Sequence, residues 1–196
     1  MRTRRRLAAA LVLMLLIALP LAARAEGLAD IHASGAALFV VDGSRQLYGL
    51  HEHDKLPMAS TTKIMTALIA IERCHPSEMV AVPDEAVGTE GSSIYLARGE
   101  TMSMQDLLHG LMLTSGNDAA VAIAIHVAGS VETFAALMNA RAKELGCENT
   151  NFVTPNGLHD KEHYTSAYDL GLIACEAMRN EVFRSIVSTS YYKTGT

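Results

Sequence analysis

Apolar positions recur along this chain with different spacings, and each spacing announces a different element. From Leu7 to Leu19, thirteen residues are apolar without interruption. Ala36 to Val41 is a short β-prone run that ends at Asp42-Gly43, a pair suited to a tight turn, and Arg45 to Gly49 can return as its partner strand. Two strands alone are marginal in water, so this hairpin calls for a helix or further strands against it. After Ser60, residues Ile64, Met65, Leu68, Ile69 and Ile71 fall at helical spacing. Met79 to Val82 reads as a short strand, and a loop-rich stretch follows through Gly88, Gly91 and Gly99. Ser103 and Asp106 form a capping box ahead of Met104, Leu107, Leu108, Leu111 and Met112. Beyond a break at Ser115-Gly116-Asn117, the run Ala119 to Ala128 is apolar on every side except at His126, which suits a helix at the centre of a lobe. Two more helices are expected, one from a Ser130 cap to Leu145 with Gly146 as its stop, and one from Ser166 to Met178.

The Leu7 to Leu19 run has a different setting from the rest. Arg2 to Arg6 precede it, Pro20 ends it, and Ala23-Arg24-Ala25 supplies a small-x-small cleavage pattern, which is the order of an export signal. Thirteen helical residues reach only about 20 Å against a hydrocarbon core of about 30 Å. Residues 1–25 are therefore expected to be cleaved, leaving residues 26–196 as one exported domain in the cell envelope or outside the cell. This signal also hides the charge balance. The chain carries 16 basic and 21 acidic residues, but five of the basic ones precede residue 26, leaving 11 against 21. So acidic a domain lacks the surplus of Lys and Arg that nucleic-acid phosphates require. Cys74, Cys147 and Cys175 form no C-x-x-C pair, which excludes a disulfide scaffold and a Cys-rich zinc module.

Candidate chemistry concentrates at Ser60-Thr61-Thr62-Lys63. Residues at i and i+3 share a helix face, so Ser60 and Lys63 can touch. A serine hydroxyl needs a neighbouring base to become a nucleophile, and a desolvated lysine can supply one. The helix start adds free N–H groups suited to an oxyanion. Read alone, the same residues are also an N-cap serine and an exposed lysine. Ser115-Gly116-Asn117 is a second polar break between apolar helices, where buried polar groups need partners. Read alone, Ser115 or Asn117 could simply cap the helix that starts at Asp118.

Together the two motifs resemble the D-alanyl-D-alanine carboxypeptidases, the low-molecular-weight penicillin-binding proteins. The likeness extends over Leu56-Pro57-Met58-Ala59-Ser60-Thr61-Thr62-Lys63-Ile64-Met65-Thr66-Ala67, over Leu113-Thr114-Ser115-Gly116-Asn117-Asp118-Ala119-Ala120, and over Gly157-Leu158-His159 through His163-Tyr164-Thr165-Ser166-Ala167-Tyr168-Asp169. It implies an α+β fold of the β-lactamase and penicillin-binding transpeptidase type, an antiparallel sheet packed with helices beside a helical lobe. It also implies Ser60 as the acylated nucleophile, Lys63 as its general base, Ser115 as a proton relay to the leaving group and Asn117 as a substrate-binding residue. The implied substrate is a peptidoglycan stem peptide ending in D-Ala-D-Ala, with covalent inhibition by β-lactams. No metal and no other cofactor is implied, and membrane association would be peripheral, through a segment outside these residues.

Lys193-Thr194-Gly195 reads as the family's third motif, but its neighbours depart from the pattern. Tyr191-Tyr192 stand where Asp-Gly and a small apolar residue are usual, and Phe183 to Tyr192 looks like a segment that precedes the true motif. The expectation is a coincidental match, a sheet incomplete at its C-terminal end, and a chain of poor catalytic power. Other constellations are weaker. Position 55 is Lys, so His51-Glu52-His53 does not complete H-E-x-x-H. His159 and His163 are expected on a solvated loop beside Pro155-Asn156-Gly157, and His126 is expected as a satisfied core histidine. A serine β-lactamase shares Ser60, Lys63 and the Ser115 loop, yet Glu148-Asn149-Thr150-Asn151 does not match the glutamate motif of its class A form. A catalytically silent peptidoglycan-binding module of the same fold is the remaining alternative.

Overall fold

The computed structural model describes residues 31–42 and 44–195, so the expected export signal at residues 1–25 and Gly43 of the expected turn lie outside the described residues. Ala36–Val40 (β1) and Arg45–Leu50 (β2) pair antiparallel, Ala36 opposite Leu50 and Val40 opposite Arg45, with an irregularity between Leu38 and Phe39. One face of this hairpin is wet, with Leu38 and Leu47 each about half exposed. The other receives Ala167–Arg179 (α5), where the Phe39 ring lies 5.4 Å from that of Tyr168. Gly171 makes this approach feasible, because a Cβ there would run into the Phe39 ring. The need of a bare hairpin for a covering helix is met in this way.

Lys63–Arg73 (α1) is the helix around which the others gather. It packs against Met104–Leu113 (α2), Asn117–Ala128 (α3), Val131–Glu144 (α4) and α5, and also against Glu181–Val187 (α6). Met65, Leu68 and Ile69 of α1, Leu107 and Leu111 of α2, Ile123 of α3, Phe134 and Met138 of α4, and Ile173 of α5 make one continuous core. Each such side chain taken fully out of water contributes about 1.5–3 kcal/mol. The small residues Ala119, Ala120, Ala122 and Ala124 are buried along α3, as its all-round apolar pattern requires. Helices α3 and α4 meet at 84°, and among the described residues no single helix is long and apolar enough to cross a membrane.

Helix starts follow the sequence closely. Ser103, Ser130 and Ser166 each accept an N–H from three residues ahead, from Asp106, Thr133 and Asp169, at 3.0–3.1 Å. The first helix departs from this. Ser60 is not its cap, because Ala59–Thr62 forms a 3-10 turn that runs directly into Lys63. Neither Ser115 nor Asn117 caps α3, whose N-cap is Gly116 with Asn117 as its first helical residue. Two short elements went unannounced in the sequence. Thr101–Ser103 (β4) pairs antiparallel with Met79–Ala81 (β3), and at three residues it is too short to show a period. Helix α6 is seven residues long and buries only Phe183 and Ile186.

Because Ile123 is fully buried between these helices, Ile123→Ala should lower stability by about 2–5 kcal/mol, read from the urea midpoint at unchanged denaturant slope.

Candidate functional site

The polypeptide entering α1 is held by a two-way bridge in which Leu56 and Thr165 exchange N–H to O bonds of 2.8 and 3.0 Å. Beyond it the backbone turns sharply. Ala59 adopts a left-handed φ of 45°, which an L-residue takes only under constraint. The hydroxyl of Thr62 donates to the Ala59 carbonyl at 2.7 Å and so closes the turn. This conformation leaves Ser60 exposed while Lys63, one turn later, is only 2% exposed.

The Lys63 nitrogen is the meeting point of three segments. It lies 2.7 Å from Asn117 Oδ1, 2.7 Å from the Asn156 carbonyl and 3.2 Å from Ser60 Oγ. As an ammonium it has three donors, and three acceptors receive them. As a neutral amine it keeps two N–H bonds to the two carbonyl oxygens, and its lone pair is left facing the Ser60 hydroxyl. Among the described residues Lys63 forms no ion pair. Burial therefore acts without a compensating carboxylate and pushes its pKa from 10.5 down to about 8.

Asn117 is fixed at both ends, because its Nδ2 donates to the Glu90 carbonyl at 2.6 Å and its own N–H to the Ser92 carbonyl at 2.7 Å. Its neighbour Asp118, given no role in the sequence beyond starting the helix, is buried and organises the loop above α3. One carboxylate oxygen accepts from the Ile94 and Ala119 N–H groups at 3.1 and 2.9 Å, the other from Ser93 Oγ and the Leu96 N–H at 2.6 and 3.0 Å. Its one visible signal was an acid opening an otherwise apolar helix. Ser115 adopts a left-handed φ of 59° and is half-buried in the same loop, but it is not among the partners of Lys63.

Pro155, Asn156 and Gly157 form the floor. Thr66 Oγ1 donates to the Pro155 carbonyl at 2.6 Å, and Asn156 Oδ1 accepts from the Leu158 N–H at 3.0 Å. Gly157 has φ of 87° and lies so close to the Ala59 carbonyl that a Cβ would overlap it. The expectation of two solvated histidines holds for His159, which is exposed, and fails for His163, which is 3% exposed. His163 Nδ1 accepts from the Val153 N–H at 2.9 Å and the Thr154 N–H at 3.3 Å, and Nε2 lies 2.8 Å from Thr62 Oγ1. Loop backbone with unpaired N–H groups drew this ring inward, which a polar loop composition does not announce. His126 is not a core residue either, since it is half-buried and pairs with Glu78 at 2.7 Å.

Lys193-Thr194-Gly195 is not brought to Ser60. The segment lies against the start of α2, where Tyr192 donates its hydroxyl to Asp106 Oδ1 at 2.8 Å and stacks on His109 at 3.6 Å, and the Gly195 N–H reaches the same carboxylate oxygen at 3.3 Å. Burial, then the Asp106 carboxylate, pushes the Tyr192 pKa up to about 12. Asp106 stands on the first turn of α2, whereas Ser115 follows its far end at Leu113, seven residues and roughly 10 Å of helix rise later.

Comparison with known proteins gives a consistent result. Residues 22–195 match the family described as D-alanyl-D-alanine carboxypeptidase. The chain is 39% identical over 162 residues to the Bacillus subtilis D-alanyl-D-alanine carboxypeptidase DacF, a match that covers 80% of this chain and 42% of that protein. It is 40% identical over 131 residues to DacC of Escherichia coli, covering 61% of this chain and 33% of the relative. The crystal structure of a Mycobacterium tuberculosis D-alanyl-D-alanine carboxypeptidase superposes with a TM-score of 0.79 at 30% identity, over 84% of this chain and 62% of that one. The chain thus spans less than half the length of these two curated relatives.

Two outcomes follow from the geometry. The folded pKa of Lys63 lies below its ordinary value, so between about 8 and 10.5 the unfolded chain binds the extra proton and stability rises with pH. Urea midpoints should climb across that interval, and Lys63→Met should flatten the climb. Asp118→Ala would strand the Ile94 and Leu96 N–H groups and the Ser93 hydroxyl, at about 1–3 kcal/mol for each one left buried. Hydrogen exchange at Ile94 and Leu96 should then accelerate.

Proposed function

The chain belongs to the D-alanyl-D-alanine carboxypeptidase family, and on that premise we propose that it is an exported serine-type peptidase of the cell envelope that removes the terminal D-alanine from peptidoglycan stem peptides. The observation that carries this reading is a serine hydroxyl 3.2 Å from a lysine nitrogen that is buried, carbonyl-bonded and without an acidic partner. Neutral Lys63 takes the Ser60 proton as Ser60 Oγ bonds to the carbonyl carbon between the two D-alanines. The tetrahedral oxyanion collapses, the C–N bond breaks, and the departing amine needs a proton. Ser115 is the group assigned to deliver it from Lys63, which its place in the adjoining loop supports. Water then attacks the ester on Ser60 and restores the hydroxyl. Asn117 has its side chain committed to Lys63 and to the Glu90 carbonyl, so its part is first to hold the base, with substrate contact depending on release of one of those bonds.

A β-lactam amide would meet the same nucleophile. Incubation with penicillin should add one penicillin mass to the protein and none to Ser60→Ala, measured by intact mass spectrometry. The rate of adduct formation should rise with pH and level off above about 8, where Lys63 is neutral. Folded protein that gains no mass overturns the reading. In that event the docking of Lys193-Thr194-Gly195 on α2, away from Ser60, would favour a silent binding module, recognised by retention on cell-wall sacculi. Steady penicillin hydrolysis without a lasting adduct would assign a β-lactamase instead.

A further inference from the structure

His163 lies outside the contacts of Lys63 and Ser60, yet it is joined to the segments that carry both. The tautomer of its ring is dictated by its surroundings. Two backbone N–H groups, of Val153 and Thr154, point at Nδ1, so that nitrogen carries a lone pair and the proton resides on Nε2. The Nε2–H therefore donates to Thr62 Oγ1, whose own proton is already directed to the Ala59 carbonyl. The result is a one-way relay from imidazole to hydroxyl to peptide oxygen. It ends on the left-handed residue immediately before Ser60.

A peptide unit is planar, and among the described residues every peptide is trans, so the Ala59 carbonyl and the Ser60 N–H point in opposite directions. Whatever holds that carbonyl inward, against Thr62 and beneath Gly157, turns the Ser60 N–H outward on the exposed side of the turn. An outward N–H on the nucleophile's own residue is placed to meet the negative oxygen that forms when Ser60 attacks a carbonyl. We propose that His163 is a positioning residue which, through Thr62, fixes the Ala59–Ser60 peptide plane and so aims the Ser60 N–H as an oxyanion donor. The inference rests on the acyl-transfer reading of Ser60 for its chemistry, although the relay itself does not. The same ring restrains residues 153 and 154, from which the backbone runs to the Asn156 carbonyl that receives Lys63. One buried imidazole thereby sets the relative position of nucleophile and base.

Three variants separate its two ends. His163→Asn keeps an acceptor for the Val153 N–H but cannot reach Thr62. His163→Gln extends to Thr62 but gives up the acceptor next to the loop. Thr62→Val is isosteric and removes only the relay hydroxyl. Nitrogen NMR of the full chain should show His163 as the Nε2–H tautomer. The Ser60 amide resonance should move in His163→Asn and in Thr62→Val, and stay nearer the wild-type position in His163→Gln. Penicillin acylation should slow about tenfold in His163→Asn and in Thr62→Val, less than the 10²–10³ of deleting a donor outright, with the pH midpoint unchanged because Lys63 keeps its partners. An Nδ1–H tautomer, or a Ser60 amide unmoved by both His163→Asn and Thr62→Val, overturns the proposal, as does wild-type acylation in both. If the unaltered protein is not acylated at all, the acyl-transfer reading fails while the two NMR measurements still decide the relay. Should His163→Asn not fold, Thr62→Val and the tautomer carry the test.

Discussion

Taking a lysine nitrogen out of water disfavours its charged form, and at Lys63 that effect is offset only by uncharged oxygens. Two carbonyls and a hydroxyl surround the nitrogen, and each comes from a different stretch of chain. A carboxylate in place of either carbonyl would hold the proton and undo the fall in the Lys63 pKa. Placed in solvent instead, the same lysine would be protonated across the whole physiological range. The rest of the described fold can be read as the means of keeping this nitrogen dry, correctly surrounded and next to an exposed serine.

The helical lobe supplies dryness and geometry at once. Helix α1 carries Lys63 into the core on its first turn, with Met65, Leu68 and Ile69 anchoring the same helix among α2, α3 and α5. The alanines of α3 let that helix approach closely, which brings Asn117 to the nitrogen. Asp118 then accepts three bonds from the 93–96 loop and holds it above the helix start. From the other side the 155–157 segment closes the floor, and the bond from Thr66 to the Pro155 carbonyl ties it to α1.

Much of this arrangement was legible in the sequence because it rests on periodicity and short motifs. The hairpin, the serine caps of α2, α4 and α5, and the neighbourhood of Ser60, Lys63 and Asn117 all follow from spacing or from family resemblance. What escaped notice depends on contacts between distant residues. His163 stands in a polar loop and became buried because backbone N–H groups needed an acceptor. Asp118 looked like an ordinary first-turn acid. The Asn156 carbonyl is a main-chain atom, and no side-chain motif reports where such an atom will point. Strand β4 owes its existence to its partner β3, and Ser60 failed to cap α1 because Thr62 and the left-handed Ala59 draw the chain into a 3-10 turn first.

The three contacts of the Lys63 nitrogen also have a temporal meaning. Its partner Ser60 is three residues away, Asn117 is 54 away and Asn156 is 93 away. The near contact forms with the first helical turn, whereas the far ones wait until long loops have closed and the apolar helices have docked. Before that moment the amine is hydrated, protonated and inert toward its serine. On the proposed reading of Ser60, reactivity would therefore emerge at the end of folding and vanish at the first local opening of the floor, so the serine would be armed only in a molecule whose distant segments are already in place.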